Sequence, residues 1–145
     1  MYKITRRFEF EAAHRLLGHE GRCRFLHGHS YVAEISLMSR SLSSLNMVLD
    51  FRLIKEGVGE WIDRNWDHNI LLTRQDPLWD FMPDVNDGRL PFSFGESLPT
   101  AEMMARVLFE FAELIEPIKA WGRVTIEKVR VQETSNCWAE YDGSE

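Results

Sequence analysis

An α+β fold, with two helices on one face of a four-stranded antiparallel sheet, is what this sequence of 145 residues predicts. Three observations point there. Residues 3–13 and 30–38 alternate apolar and polar side chains, the period of half-buried strands. Two helical stripes follow, one after Asp50 and one after Thr100. A second pair of strand-like runs, 121–133 and 137–142, closes the chain around a turn near "SN". The order is therefore strand, strand, helix, helix, strand, strand, and such grouping favours helices segregated to one side of a sheet.

In the first strand Ile4, Phe8, Phe10 and Ala12 share a face, with Thr5, Arg7, Glu9 and Glu11 opposite. In the second, Tyr31, Ala33, Ile35 and Leu37 share one. The segment between, "HRLLGHEGRCRFLHG", has the length and glycines of a functional loop. Asp50 suits a helix N-cap, with Leu49 and Ile54 as a hydrophobic staple. Phe51, Ile54, Val58, Trp61 and Ile62 carry that helix to about residue 65, weakened by Gly57 and Gly59. Residues 73–98, rich in Pro, Gly, Asp and Asn, read as an irregular excursion. "PTAE" opens the next helix: Thr100 caps it and Glu102 favours its positive end. Its stripe is Met104, Val107, Leu108, Phe111, Leu114 and Ile115, and Pro117 ends it. In the third strand Val124 and Ile126 have one parity, Val129 and Val131 the other, so a bulge is expected near Lys128.

The length fits one domain, residues 1–145, able to bury a core without staples. A net charge of −6 argues against nucleic acid or an anionic membrane as partner. An anionic small molecule would then need a local basic cluster. Two cysteines, Cys23 and Cys137, make no disulfide framework, and reduced thiols in a cytoplasm are the simpler reading. The start lacks the apolar core of a signal peptide, and no apolar run approaches the ~20 residues that span a bilayer.

Strand parity carries the functional reading. His14 has the parity of Phe8, Phe10 and Ala12; His27 and His29 have that of Tyr31, Ala33 and Ile35. If the strands pair as a hairpin, three imidazoles converge on one buried side. Three neutral histidines plus a water form an open catalytic zinc site. Gly28 lets the backbone come close. A single histidine on an apolar face is usually a hydrogen-bonded core residue, but three together speak for metal. Cys23 is open to two readings: a fourth ligand in a closed structural site, or a free nucleophile or base beside an open one. Arg22 and Arg24 favour its thiolate. Cys137 reads as a buried small hydrophobe. Asp67 and His68 fit an acid/base pair if a helix end turns them together, and a plain polar helix end otherwise. Glu133 has the parity of Val129 and Val131, and a carboxylate there needs a partner: a guanidine-like ligand edge or a nearby arginine.

Together "FEAAHRL", "CRFLHGHSY", "WDHNILL", "PTAE" and "VQETSN" resemble the 6-pyruvoyltetrahydropterin synthase / 6-carboxytetrahydropterin synthase family over nearly the whole chain. The resemblance implies the tunnelling fold, a four-stranded antiparallel sheet with two helices on one side. It also implies trimers pairing into hexamers (a dimer of trimers), with active sites between subunits. His14, His27 and His29 match the zinc ligands, Cys23 the catalytic thiol, and Asp67 with His68 the acid/base pair. Glu133 matches the carboxylate that clamps the pterin, and Thr100 and Glu102 the segment beside the pterin pocket. The implied substrate is 7,8-dihydroneopterin triphosphate, with Arg15, Arg22 and Arg24 as candidates for its phosphates. One branch yields a 6-pyruvoyl product. The other, on the way to queuosine, yields 6-carboxy-5,6,7,8-tetrahydropterin. Three residues separate Cys23 from His27, and this short spacing looks like the carboxy branch.

Overall fold

The computed structural model describes residues 1–144; Glu145, the last residue of the expected domain, lies outside them. Strands β1 (Tyr2–His14) and β2 (His27–Ser39) form a long antiparallel ladder from Tyr2↔Ser39 to His14↔His27. Both run further than their alternation shows, and the extension carries all three histidines. A helical segment follows: α1 (Phe51–Ile54), one π-helical turn (Lys55–Gly59) and α2 (Glu60–Asn65). Asp50 caps it as expected, its carboxylate accepting from Arg52 N at 2.8 Å. The two glycines have a positive role. A Cβ on Gly57 would stand 2.6 Å from Ile115 Cδ1, and one on Gly59 2.7 Å from Phe8 Cε1. Their absence lets the segment lie directly on the sheet and on the chain after α4 (Ala101–Glu113).

The sheet departs from expectation. It is mixed and six-stranded, ordered β4-β3-β1-β2-β5-β6, rather than four-stranded and antiparallel. The additions are β3 (Asn69–Leu72), parallel to β1, and β4 (Phe92–Ser93), parallel to β3. They interrupt the expected strand and helix order, and at four and two residues they are too short for periodicity to declare them. The excursion also holds a 3₁₀ turn (Pro77–Asp80) and α3 (Met82–Val85).

Thr100 caps α4, its hydroxyl accepting from Met103 N at 3.3 Å. The buried face of α4 is Ala101, Met104, Ala105, Leu108, Phe109 and Ala112. The predicted stripe is thus partly rotated: Phe109 joins Met104 and Leu108 on the buried face, and Leu114, the residue that caps the helix C-terminus, is exposed. Pro117 does not end this helix. It sits in the first turn of α5 (Glu116–Trp121), where its missing N–H costs nothing. Strands β5 (Val124–Thr134) and β6 (Cys137–Tyr141) close the chain as a hairpin. The bulge is where the parity change puts it: Ser36 pairs Lys128 and Leu37 pairs Ile126, leaving Glu127 as the extra residue. Among the described residues no helix is long and apolar enough to cross a membrane.

Candidate metal centre and its cavity

The last rungs of the β1–β2 ladder are Ala12↔His29 and His14↔His27. The period of two sends all three imidazoles to the helix-covered face. Ring centroids are 4.6 Å apart for His14–His27, 5.2 Å for His14–His29 and 4.9 Å for His27–His29. One nitrogen from each ring lies within 4.8 Å of the other two, a group able to hold a metal ion. A Cβ on Gly28 would press to 3.2 Å on the Ala12 carbonyl, so glycine at that rung keeps the strands close.

Hydrogen bonds set the tautomers. His14 Nδ1 meets the Pro99 carbonyl at 2.8 Å, and His27 Nδ1 meets the Phe25 carbonyl at 2.7 Å. A carbonyl only accepts, so each Nδ1 carries the proton and each neutral ring turns an Nε2 lone pair inward. Those two Nε2 atoms face each other at 3.1 Å. His29 Nε2 is buried, has no hydrogen-bond partner, and stands 3.4 Å from Glu133 Oε1. Facing lone pairs beside a carboxylate repel until a cation lies between them, so the donor set fits a divalent metal. Burial lowers the pKa of His14, against the Pro99 hydrogen bond that raises it, and burial likewise lowers that of His29. Both rings are thereby held in the neutral, ligating form.

A cavity of about 410 Å³ adjoins this cluster, lined by His14, His19, Cys23, Thr100, Glu102 and Glu133 among others. Cys23 sits in a 3₁₀ turn (Arg22–Arg24), pinned where its carbonyl accepts from Leu16 N at 2.8 Å. Its sulfur stands outside the close nitrogen group, as an open site requires rather than a closed four-ligand one. Glu133 faces His29, not an arginine. Cys137 also lines the cavity and is exposed, contrary to the buried small hydrophobe expected: it is the first residue of an edge strand, with no layer over it. Arg15 is already engaged. Its Nε donates to Asp76 Oδ2 at 2.7 Å, and Asp76 in turn caps the 3₁₀ turn through Leu78 N.

Asp67 and His68 do turn together, Oδ2 to Nδ1 at 2.9 Å. Asp67 Oδ1 also accepts from Glu11 N at 2.9 Å. Burial raises the pKa of Asp67, but the hydrogen bonds from Glu11 and His68 outweigh it and the net shift is downward. His68 has a left-handed backbone, φ 54°. Arg89 braces this turn, donating to the carbonyls of His68 at 3.1 Å and Asp67 at 3.2 Å. His68 borders a different cavity, also about 410 Å³, together with Glu11, Ala13, Ser30 and His29. By strand parity Glu11, Ala13 and Ser30 point to the face of the sheet opposite the three histidines, while His29 belongs to their face. Asp67 and His68 do not line the cavity that holds Cys23.

Comparison with known proteins agrees with this architecture. Residues 3–144 match the family model described as 6-pyruvoyl tetrahydropterin synthase. The chain belongs to the 6-pyruvoyl tetrahydropterin synthase family. It is a lyase-type enzyme of that family. It is 36% identical over 140 residues to 6-carboxy-5,6,7,8-tetrahydropterin synthase of Rickettsia felis, covering 97% of this chain and 99% of the relative. The protein of the same name from Rickettsia bellii is 37% identical over 142 residues, with the same coverage. Among solved structures, Caenorhabditis elegans 6-pyruvoyl tetrahydropterin synthase superposes with a TM-score of 0.72 at 24% identity, covering 99% of this chain and 96% of that one. In this synthase-family site, sequence reasoning overlooked three contributors. The Pro99 carbonyl is a backbone atom, and the Arg89 guanidinium donates to backbone carbonyls, so neither leaves a motif. Tyr31 is fully buried under the histidines, its ring 5.3 Å from that of His29. Its hydroxyl has no partner and its pKa is raised, by burial first and then by Glu133 and Cys23.

Proposed function

We propose that this chain is a zinc-dependent lyase that converts 7,8-dihydroneopterin triphosphate and water to 6-carboxy-5,6,7,8-tetrahydropterin, acetaldehyde and triphosphate, in queuosine biosynthesis in the cytoplasm. The observation that carries this reading is the inward convergence of the histidine nitrogens beside a cavity holding Cys23 and Glu133. The carboxy branch is favoured by the three residues between Cys23 and His27 and by the names of the Rickettsia relatives. His14, His27 and His29 would hold the ion. Bound there, zinc would supply Lewis acidity toward the substrate side chain. Cys23 moves the proton released there. Glu133 accepts two hydrogen bonds from the guanidine-like edge of the pterin, and Thr100 and Glu102 border that pocket. The test is to incubate the zinc-loaded protein with 7,8-dihydroneopterin triphosphate. Acetaldehyde is expected with the 6-carboxy product, identified by mass. Triphosphate release without acetaldehyde would assign the 6-pyruvoyl reaction instead. No triphosphate release would leave a non-catalytic module with a structural zinc.

Asp67 and His68 act in this scheme as a second acid/base station, supplied to the Cys23 cavity by another copy of the chain. A homo-hexamer built as a dimer of trimers supplies one, with a site completed between neighbours. Cys23→Ala and His68→Ala are then each expected to be inactive as pure assemblies. Refolded together in equal amounts, they are expected to recover about a quarter of wild-type activity, the share of sites that combine two intact halves. No recovery on mixing would confine each site to a single chain.

A further inference from the structure

Five histidines occur in the chain, and the scheme above uses four. The fifth, His19, lies in the loop between β1 and β2 and lines the same cavity as Cys23 and Glu133. Its hydrogen bonding is the reverse of that of the metal-facing rings. The backbone N–H of Gly21 donates to His19 Nδ1 at 2.8 Å. An N–H can only donate, so Nδ1 holds the lone pair and the proton of the neutral ring sits on Nε2. His14, the other imidazole in the cavity wall, presents a lone pair; His19 presents a donor. The loop is shaped to keep it so. A Cβ on Gly21 would stand 2.9 Å from His19 Cε1 and 3.2 Å from Nδ1, so the ring packs where a side chain would otherwise be. Gly21 itself has φ −88° and ψ −165°, extended backbone open to any residue. Its want of a side chain therefore serves the ring, not the chain path.

The rest of the cavity wall explains what such a donor is for. It carries two carboxylates, Glu102 and Glu133, and among the described residues lining it there is no arginine or lysine. Arg15 is committed to Asp76, the Arg24 guanidinium donates to the Glu20 carbonyl and lies 4.6 Å over the Phe25 ring, and Arg22 is exposed in the turn beside Cys23 and does not line the cavity. An anionic substrate tail in a cavity lined by carboxylates needs a hydrogen-bond donor from the remaining wall. We infer that His19, held by Gly21 in its Nε2–H tautomer, hydrogen-bonds a phosphoryl oxygen of the substrate and selects for the phosphorylated side chain. This rests on the proposed substrate and adds a residue to its recognition.

The experiment compares wild type, His19→Ala, His19→Gln and Gly21→Ala. It reads kcat/KM for 7,8-dihydroneopterin triphosphate, the Kd for unphosphorylated 7,8-dihydroneopterin, and bound metal. A hydrogen bond to a charged oxygen predicts a loss of about 10–100-fold in kcat/KM for His19→Ala. Affinity for the unphosphorylated pterin and metal content should not change. His19→Gln, whose amide N–H reaches to where Nε2 stood, should recover part of the loss. Gly21→Ala should show part of the defect alone and add nothing to His19→Ala, since it acts only through the ring. Equal losses of affinity for both pterins, or full activity in His19→Ala, would overturn the inference. If wild type turns over no pterin, the proposed reaction has failed. Calorimetry with inorganic triphosphate then decides separately: weaker binding by His19→Ala than by wild type supports the contact, and equal binding refutes it.

Discussion

Cys23→Ala is expected to keep a full equivalent of metal and to lose turnover by about 10²–10⁴-fold, the usual worth of a positioned proton carrier. Both halves follow from the geometry. Metal is retained because three imidazoles already converge, with Nε2 lone pairs fixed by the carbonyls of Pro99 and Phe25, and the sulfur is not one of that group. Turnover is lost because Cys23 shares the cavity with Glu133 and His14, where a pterin clamped by the carboxylate would present its side chain. Cys23→Ser should fare little better, since a hydroxyl is far less acidic than a thiol at neutral pH. Metal analysis and single-turnover assays together separate the possibilities. If Cys23→Ala loses metal, and if X-ray absorption of the wild type shows a Zn–S path near ~2.3 Å, the thiol is a fourth ligand and the site is closed.

The parts of the site that sequence made legible are those governed by strand period. His14, His27 and His29 follow apolar neighbours at intervals of two, and the ladder placed them together with no help from distant parts of the chain. The Val124 to Val131 parity change was readable for the same reason, since one extra residue flips every later side chain. What stayed hidden depends on contacts distant in sequence. Arg15 reads as a free surface charge until Asp76, 61 positions on, closes on it. Asp67 and His68 read as part of one site with Cys23, but their turn precedes the short strand β3, and neither residue lines the cavity that holds the thiol. Leu114 fits the helical stripe by spacing, yet the helix ends at Glu113 and leaves it exposed as the C-cap. Gly59 looks like a helix weakness in one dimension and is the contact with Phe8 in three.

His27→Ala should abolish both the metal and the reaction, and it is the most informative of the three ligand substitutions. His14 is 1% exposed, so removing its ring would also leave a cavity in the core and confuse lost metal with lost fold. His27 is only partly buried at the mouth of β2, and its ring is tied back locally, to the Phe25 carbonyl. Its removal takes away one ligand of three and little packing. Zinc sites are worth roughly 10–16 kcal/mol over about four ligands, so one ligand fewer should weaken binding on the order of 10³-fold. Activity at micromolar zinc should fall to background. The metal-dependent rise in melting temperature of the wild type should shrink with it, while the metal-free proteins melt close together. The metal-free comparison makes the result decisive. If His27→Ala binds zinc as tightly as wild type, the three rings are a buried polar cluster and not a ligand set. If the metal-free forms already differ widely, His27 is holding the strand ends and the loss of activity says nothing about a metal.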